Sequence, residues 1–145
     1  MKHWRKKIIQ PKVSKYRLKV GKSAVGFGLF TLETVKRGAK IIEYGGIVLT
    51  NDEADKKGGK YLFEMIDGKN TIDGSPRWNL ARYANHACKP NCEGVWYGNR
   101  IWLCAKRKIQ PNEGLTYHYG KDYFQNILGG QKLCRCDACA GNRGR

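Results

Sequence analysis

Three thiols, Cys134, Cys136 and Cys139, stand within six residues of one another. Disulfide pairing among sulfurs so crowded is awkward, whereas one soft divalent cation takes several thiolates at once, and tetrahedral Zn²⁺ then needs a single further ligand. Spacing alone leaves that ligand open among Cys88, Cys92, Cys104, His86 and His118. A remote fourth ligand would clip the glycine-bearing tail to the body, so that metal binding and tail folding become one event. Free or redox-active thiols are the other reading of the same residues. Either chemistry fits a reducing compartment better than an oxidising one.

Two further stretches concentrate reactive residue types: Arg82 to Cys92 (RYANHACKPNC) and Glu113 to Gly120 (EGLTYHYG). Earlier in the chain, Gly26 and Gly28 flank Phe27 where a backbone must turn tightly or approach a ligand closely.

These stretches need elements to hold them, and the pattern predicts short strands. Tyr16, Leu18 and Val20 alternate with Arg17 and Lys19 as in a half-buried strand, and Ile41 to Leu49 is a second apolar run broken by Gly45 and Gly46. A short helix is predicted inside Asn51 to Lys60, then a strand over Tyr61 to Ile66. Asn79 to Ala84 has helical propensity, Val95 to Ala105 reads as a hairpin around Tyr97, Gly98 and Asn99, and Leu115 to Tyr119 is a last apolar run. The expected class is mainly β with few short helices.

Taken in order, the motifs resemble the SET-domain family of protein lysine methyltransferases. Arg82 to Cys92 resembles the family's R-(F/Y)-x-N-H-x-C-x-P-N-C signature, and Glu113 to Gly120 its G-E-x-L-T-(F/Y)-x-Y-G segment. Val25 to Phe30, Ile42 to Gly46 and Tyr61 to Phe63 are similar to its G-x-G-L-F turn, its (I/V)-x-E-Y-x-G strand and its Y-x-F strand, and the tail cysteines to its post-SET zinc module. The tail departs in having C-x-C-x2-C where many relatives have C-x-C-x4-C, and His118 replaces an acidic residue often seen between the two tyrosines. The resemblance implies small curved sheets, a C-terminal pseudoknot and a zinc-bound tail, divided as a basic lead-in over 1–15, the SET domain over 16–123 and the post-SET tail over 124–145.

What the resemblance implies chemically is methyl transfer from S-adenosylmethionine to a lysine. That in-line displacement needs a neutral, aligned amine, and a free lysine has a pKa of about 10.4. A narrow aromatic channel beside a sulfonium disfavours the ammonium by desolvation and like-charge repulsion. By resemblance Tyr119 is the catalytic tyrosine, Tyr44 lines the lysine channel from the opposite side, and Tyr117, carrying a hydroxyl where relatives have Phe or Tyr, favours monomethylation. The implied cofactor contacts are Gly26, Phe27, Gly28, Tyr61, Arg82, Asn85 and His86, with Phe124 or Tyr123 supplying a wall. The implied zinc ligands are Cys88, Cys134, Cys136 and Cys139, leaving Cys92 and Cys104 as small buried hydrophobes.

The 145 residues suit one domain, and 28 Lys and Arg against 12 Asp and Glu, a net charge of +16, create a field that attracts acidic partners. The basic N-terminus has no continuous apolar run of the kind a signal peptide or membrane span requires, so a soluble intracellular protein is expected, nuclear or chromosomal if eukaryotic and cytoplasmic if bacterial. The expected partner is a protein lysine substrate, a histone tail or another protein, with electrostatic contact to nucleic acid or nucleoprotein. Competing readings are an inactive SET scaffold and a basic zinc module that binds nucleic acid through four tryptophans and eight tyrosines.

Overall fold

The computed structural model describes residues 6–119. In chain order the strands are β1 (Ile8–Ile9), β2 (Leu18–Ser23), β3 (Gly26–Thr31), β4 (Lys40–Tyr44) and β5 (Gly46–Thr50), followed by helix α1 (Asn51–Lys57). Next come β6 (Leu62–Glu64), β7 (Asn70–Asp73), a 3-10 turn (Leu80–Tyr83), β8 (Asn85–His86), β9 (Cys92–Tyr97), β10 (Arg100–Ala105) and β11 (Thr116–Tyr117). They form four small sheets, ordered β1-β5-β7-β6, β4-β10-β9, β11-β8 and β2-β3. The chain is therefore mainly β, as its residue pattern predicts.

Local chemistry accounts for the breaks. The apolar run Ile41 to Leu49 divides at Gly45 between two sheets, because a Cβ on Gly45 would lie 2.5 Å from the Ile9 carbonyl oxygen and one on Gly46 would collide with the Asp73 carbonyl. Helix α1 starts with a reciprocal capping box, the Thr50 hydroxyl accepting from the Glu53 N–H while the Glu53 carboxylate accepts from the Thr50 N–H. The hairpin joining β9 to β10 turns through Gly98 in the left-handed region, at φ 63°.

The core lies where the sheets meet, with Leu29, Ile41, Tyr44, Ile72, Leu103 and Leu115 all at most 1% exposed. Full burial of the Leu and Ile side chains among them stabilises the fold by about 1.5–3 kcal/mol each. Basic lead-in residues join this body directly. β1 pairs antiparallel with β5, Ile9 is buried, and the Ser14 hydroxyl donates to the Ile41 carbonyl at 2.5 Å. Among the described residues no helix is long and apolar enough to cross a membrane.

Candidate active site

Two short strands far apart in sequence build the centre. β8 and β11 pair in parallel, Asn85 opposite Thr116 and His86 opposite Tyr117, and this brings the Arg82 to Cys92 and Glu113 to Tyr119 segments together. The nearly buried Asn91 fastens the joint: its Nδ2 donates to the Gly114 carbonyl at 2.8 Å and its Oδ1 accepts from the Thr116 N–H at 2.9 Å. The Tyr119 N–H donates to His86 Nδ1 at 3.1 Å. A neutral imidazole accepting at Nδ1 carries its proton on Nε2, which faces the Cys88 sulfur at 3.6 Å. Burial, with His118 nearby, pushes His86 down to about 4, so the ring is neutral at neutral pH.

Aromatic side chains from β4, β6 and β11 converge beside this joint. Tyr44 and Phe63 have ring centroids 5.0 Å apart, Phe63 stacks on Tyr117 at 5.7 Å, and Tyr117 lies 4.9 Å from Tyr119. The Tyr44 hydroxyl donates to the Tyr61 carbonyl at 2.8 Å. Its single proton is thus committed to that carbonyl, so toward the neighbouring Tyr117 its oxygen can act only as an acceptor. Burial drives the Tyr44 hydroxyl far above the ordinary tyrosine pKa, so it stays protonated as a donor. Gly74 lies against this ring so closely that a Cβ there would collide with Tyr44.

Sequence reasoning missed Asn79, which is fully buried. An Asn ahead of a helical turn reads as a cap, yet its side chain makes no cap bond. Instead Oδ1 accepts from the Gly45 N–H at 3.0 Å and Nδ2 donates to the Gly74 carbonyl at 2.9 Å, clamping the backbone on both sides of Tyr44.

Next to the joint is a cavity of about 790 Å³, lined in part by Ser23, Gly28, Phe30, Asn85, His86 and Leu115. Asn85 Nδ2 donates to the Phe27 carbonyl at 3.0 Å, tying β8 to the β2–β3 turn. Gly28 is tightly packed, since a Cβ would meet the Phe30 ring at 3.2 Å and the Asn85 side chain at 3.3 Å, and Phe27 is 63% exposed. The Arg82 guanidinium lies 4.5 Å from the Tyr61 ring centre and 5.0 Å from that of Tyr83. Its Nε–H is the buried side-chain polar group left without a partner among the described residues. A buried donor in that state costs about 1–3 kcal/mol until an acceptor arrives, which suits the carboxylate of an amino-acid-bearing cofactor.

Residues 26–120 match the SET domain family. The chain belongs to the SET-domain family. This SET domain is 34% identical over 131 residues to the histone-lysine N-methyltransferase ASHH1 of Arabidopsis thaliana, covering 80% of the chain and 26% of that protein. It is 36% identical over 149 residues to the histone-lysine N-methyltransferase SETD1 of Drosophila melanogaster, covering 93% of the chain and 9% of that protein. Among solved structures it is similar to KRYPTONITE in complex with mCHH DNA, an H3(1–15) peptide and SAH, with 30% identity and a TM-score of 0.63 over 76% of this chain and 24% of that one. The chain thus spans about a quarter or less of these relatives.

Of the residues the sequence singles out, Tyr44, Tyr117, Tyr119, Tyr61, Arg82, Asn85 and His86 are within this one region, with Gly26, Phe27 and Gly28 on its hairpin wall. Cys88 is half-buried beside His86, whereas Cys92 and Cys104 are 0% and 4% exposed on the central hairpin. Burial raises the Cys92 thiol to about 12, which makes it inert. Tyr123, Phe124, Cys134, Cys136 and Cys139 lie outside the described residues.

Proposed function

We propose that this chain is an S-adenosylmethionine-dependent protein-lysine N-methyltransferase acting on a histone tail or another basic protein. The observation that carries the reading is the convergence of Tyr44, Tyr117 and Tyr119 beside the β8–β11 joint, whose Asn85 and His86 line the cavity, together with an Arg82 Nε–H that has no hydrogen-bond partner among the described residues. S-adenosylmethionine, when bound, supplies a methyl group on a positively charged sulfur. Arg82 would take its carboxylate, with Gly26, Phe27, Gly28, Tyr61, Asn85, His86 and Phe124 as the surrounding wall. Tyr44, Phe63 and Tyr117 form apolar ring surface that disfavours an ammonium and so favours the neutral amine. Tyr119 would orient that amine in line with the methyl, and the Tyr117 hydroxyl takes up space that a second methyl would need, which favours monomethylation.

Zinc on Cys88, Cys134, Cys136 and Cys139 is part of the same proposal. The half-buried position of Cys88 supports it over Cys92 and Cys104 as the fourth ligand. We also read the parallel β8–β11 pairing as the frame of the family's pseudoknot. A histone substrate would place the protein on chromatin, in keeping with the names of its relatives.

The test is incubation of the full chain with labelled S-adenosylmethionine and a panel of histones, ribosomal proteins and total lysate, beside Tyr119→Phe. Transfer that the variant loses is expected. No transfer to any protein would overturn the reading.

A further inference from the structure

Glu43 is a fully buried carboxylate one residue from Tyr44. Strand alternation sends the two side chains to opposite faces of β4. Tyr44 meets the aromatic cluster, and Glu43 meets the strap formed by residues 8–14. Its Oε1 accepts from the Lys12 N–H at 2.9 Å, and Arg100 Nη1 donates to both oxygens, at 2.9 and 2.7 Å. The same Nη1 reaches the Gln10 carbonyl at 3.2 Å, so this ion pair is the buckle that closes the strap. Beneath it, Ile9 and Pro11 press on Gly45 so closely that a Cβ there would lie 2.5 Å from both.

Burying a carboxylate is costly unless it is fully paired, and apolar residues of similar shape often hold a strand as well or better. The expense has a rationale if it secures something more exacting than stability. Flanked by Glu43 and Gly45, both gripped by the strap, Tyr44 has its backbone fixed on either side, and a catalytic group misplaced by about 1 Å can lose on the order of 100-fold in rate. We propose that Glu43 is a positioning residue which, buckled to Arg100 and the strap, sets the Tyr44 hydroxyl for methyl transfer; the inference rests on the methyltransferase reading above.

The full chain is compared as wild type, Glu43→Ala, Glu43→Gln and Arg100→Lys by methylation kinetics, calorimetric binding of S-adenosylhomocysteine and deuterium exchange over residues 42–46. Glu43→Ala is expected to lower kcat by about tenfold or more and to speed exchange at the Gly45 N–H, while KM and S-adenosylhomocysteine affinity stay within about twofold. Glu43→Gln keeps an acceptor for the Lys12 N–H and regains most of the lost rate. A folded Glu43→Ala with wild-type kcat, or one whose cofactor affinity falls in step with its rate, overturns the proposal. If Glu43→Ala does not fold, Glu43→Gln and Arg100→Lys decide it: kcat lost at unchanged cofactor affinity, more in Arg100→Lys than in Glu43→Gln, supports it, and any other pattern overturns it. Should wild type transfer no methyl group, the methyltransferase reading fails by itself. Exchange then decides the buckle, with faster Gly45 exchange in the variants supporting it and unchanged exchange overturning it.

Discussion

The Tyr119 hydroxyl donates a 2.7 Å hydrogen bond to the carbonyl of Ala84, the residue just before Asn85 and His86. Together with the Tyr119 N–H bond to His86 it ties the proposed catalytic tyrosine to the cofactor side of the site by two separate groups. Tyr119→Phe keeps the ring and the backbone bond. Its kcat should fall about 10²–10³-fold, with S-adenosylhomocysteine binding by calorimetry close to wild type.

Tyr117 stacks on Phe63 and lies 4.9 Å from Tyr119, so removing its hydroxyl frees volume at the centre of the cluster without opening the fold. Tyr117→Phe should raise the di- and trimethyl fractions on a peptide substrate. Product ratios identical to wild type by mass spectrometry would sink the assignment.

Arg82→Met retains much of the apolar contact with Tyr61 and Tyr83 but lacks the waiting donor. A hydrogen bond to a charged group contributes about 1.5–3 kcal/mol, so the S-adenosylmethionine Kd should rise on the order of 10- to 100-fold. Far-UV circular dichroism should be unchanged. A Kd within twofold of wild type would remove Arg82 from the cofactor wall.

Gly74 is the residue against which Tyr44 lies, and a methyl group there collides with the ring. Gly74→Ala should cost about 1–3 kcal/mol in a denaturant titration, the usual range for overpacking. Loss of methyl transfer should accompany it even in the folded fraction, since the displaced group is Tyr44.

Acid should weaken the loop that carries Gly74. Burial alone would raise the Asp73 carboxyl, but hydrogen bonds from Lys57 and from the Ser75 backbone and side chain outweigh it and hold the carboxyl below its ordinary range. A pKa lower in the folded state than in the unfolded one contributes stability that is complete above the unfolded value, near 3.9, and is lost as pH falls through the folded value. The melting temperature of wild type should therefore fall more steeply below about pH 4 than that of Asp73→Asn. Parallel curves for the two proteins would count against the assignment.

Much of this was legible in the residues, and the reasons differ from place to place. The Arg82 to Cys92 and Glu113 to Gly120 motifs were readable because two long stretches in a fixed order resemble the family's, and the match over residues 26–120 bears the family out. Helix α1 was readable more sharply than its polar composition suggested, through Thr50 and Glu53 in capping register. Ile8 and Ile9 showed nothing, because two residues are too short to express a period, and their pairing depends on a distant edge, β5. Asn79 gave no sign of its role for a related reason: local preference speaks only for neighbours in sequence, and here the tertiary partners Gly45 and Gly74 hold the side chain. The Arg82 Nε–H, without a partner among the described residues, has no signature in one dimension, since it is defined by what three-dimensional packing leaves out.

The pairing of Asn85 and His86 with Thr116 and Tyr117 also sets an order of events. That pairing closes a long loop whose entropy must be offset before the contact stabilises anything, and it cannot begin until β11 has been synthesised. On the ribosome, a chain extended only as far as β10 would already have the strands of its largest sheets but no tyrosine pair and no anchor for His86. On the methyltransferase reading, synthesis itself would thus act as a safeguard: a nascent chain that ends at β10 lacks Tyr117 and Tyr119 and should transfer no methyl group.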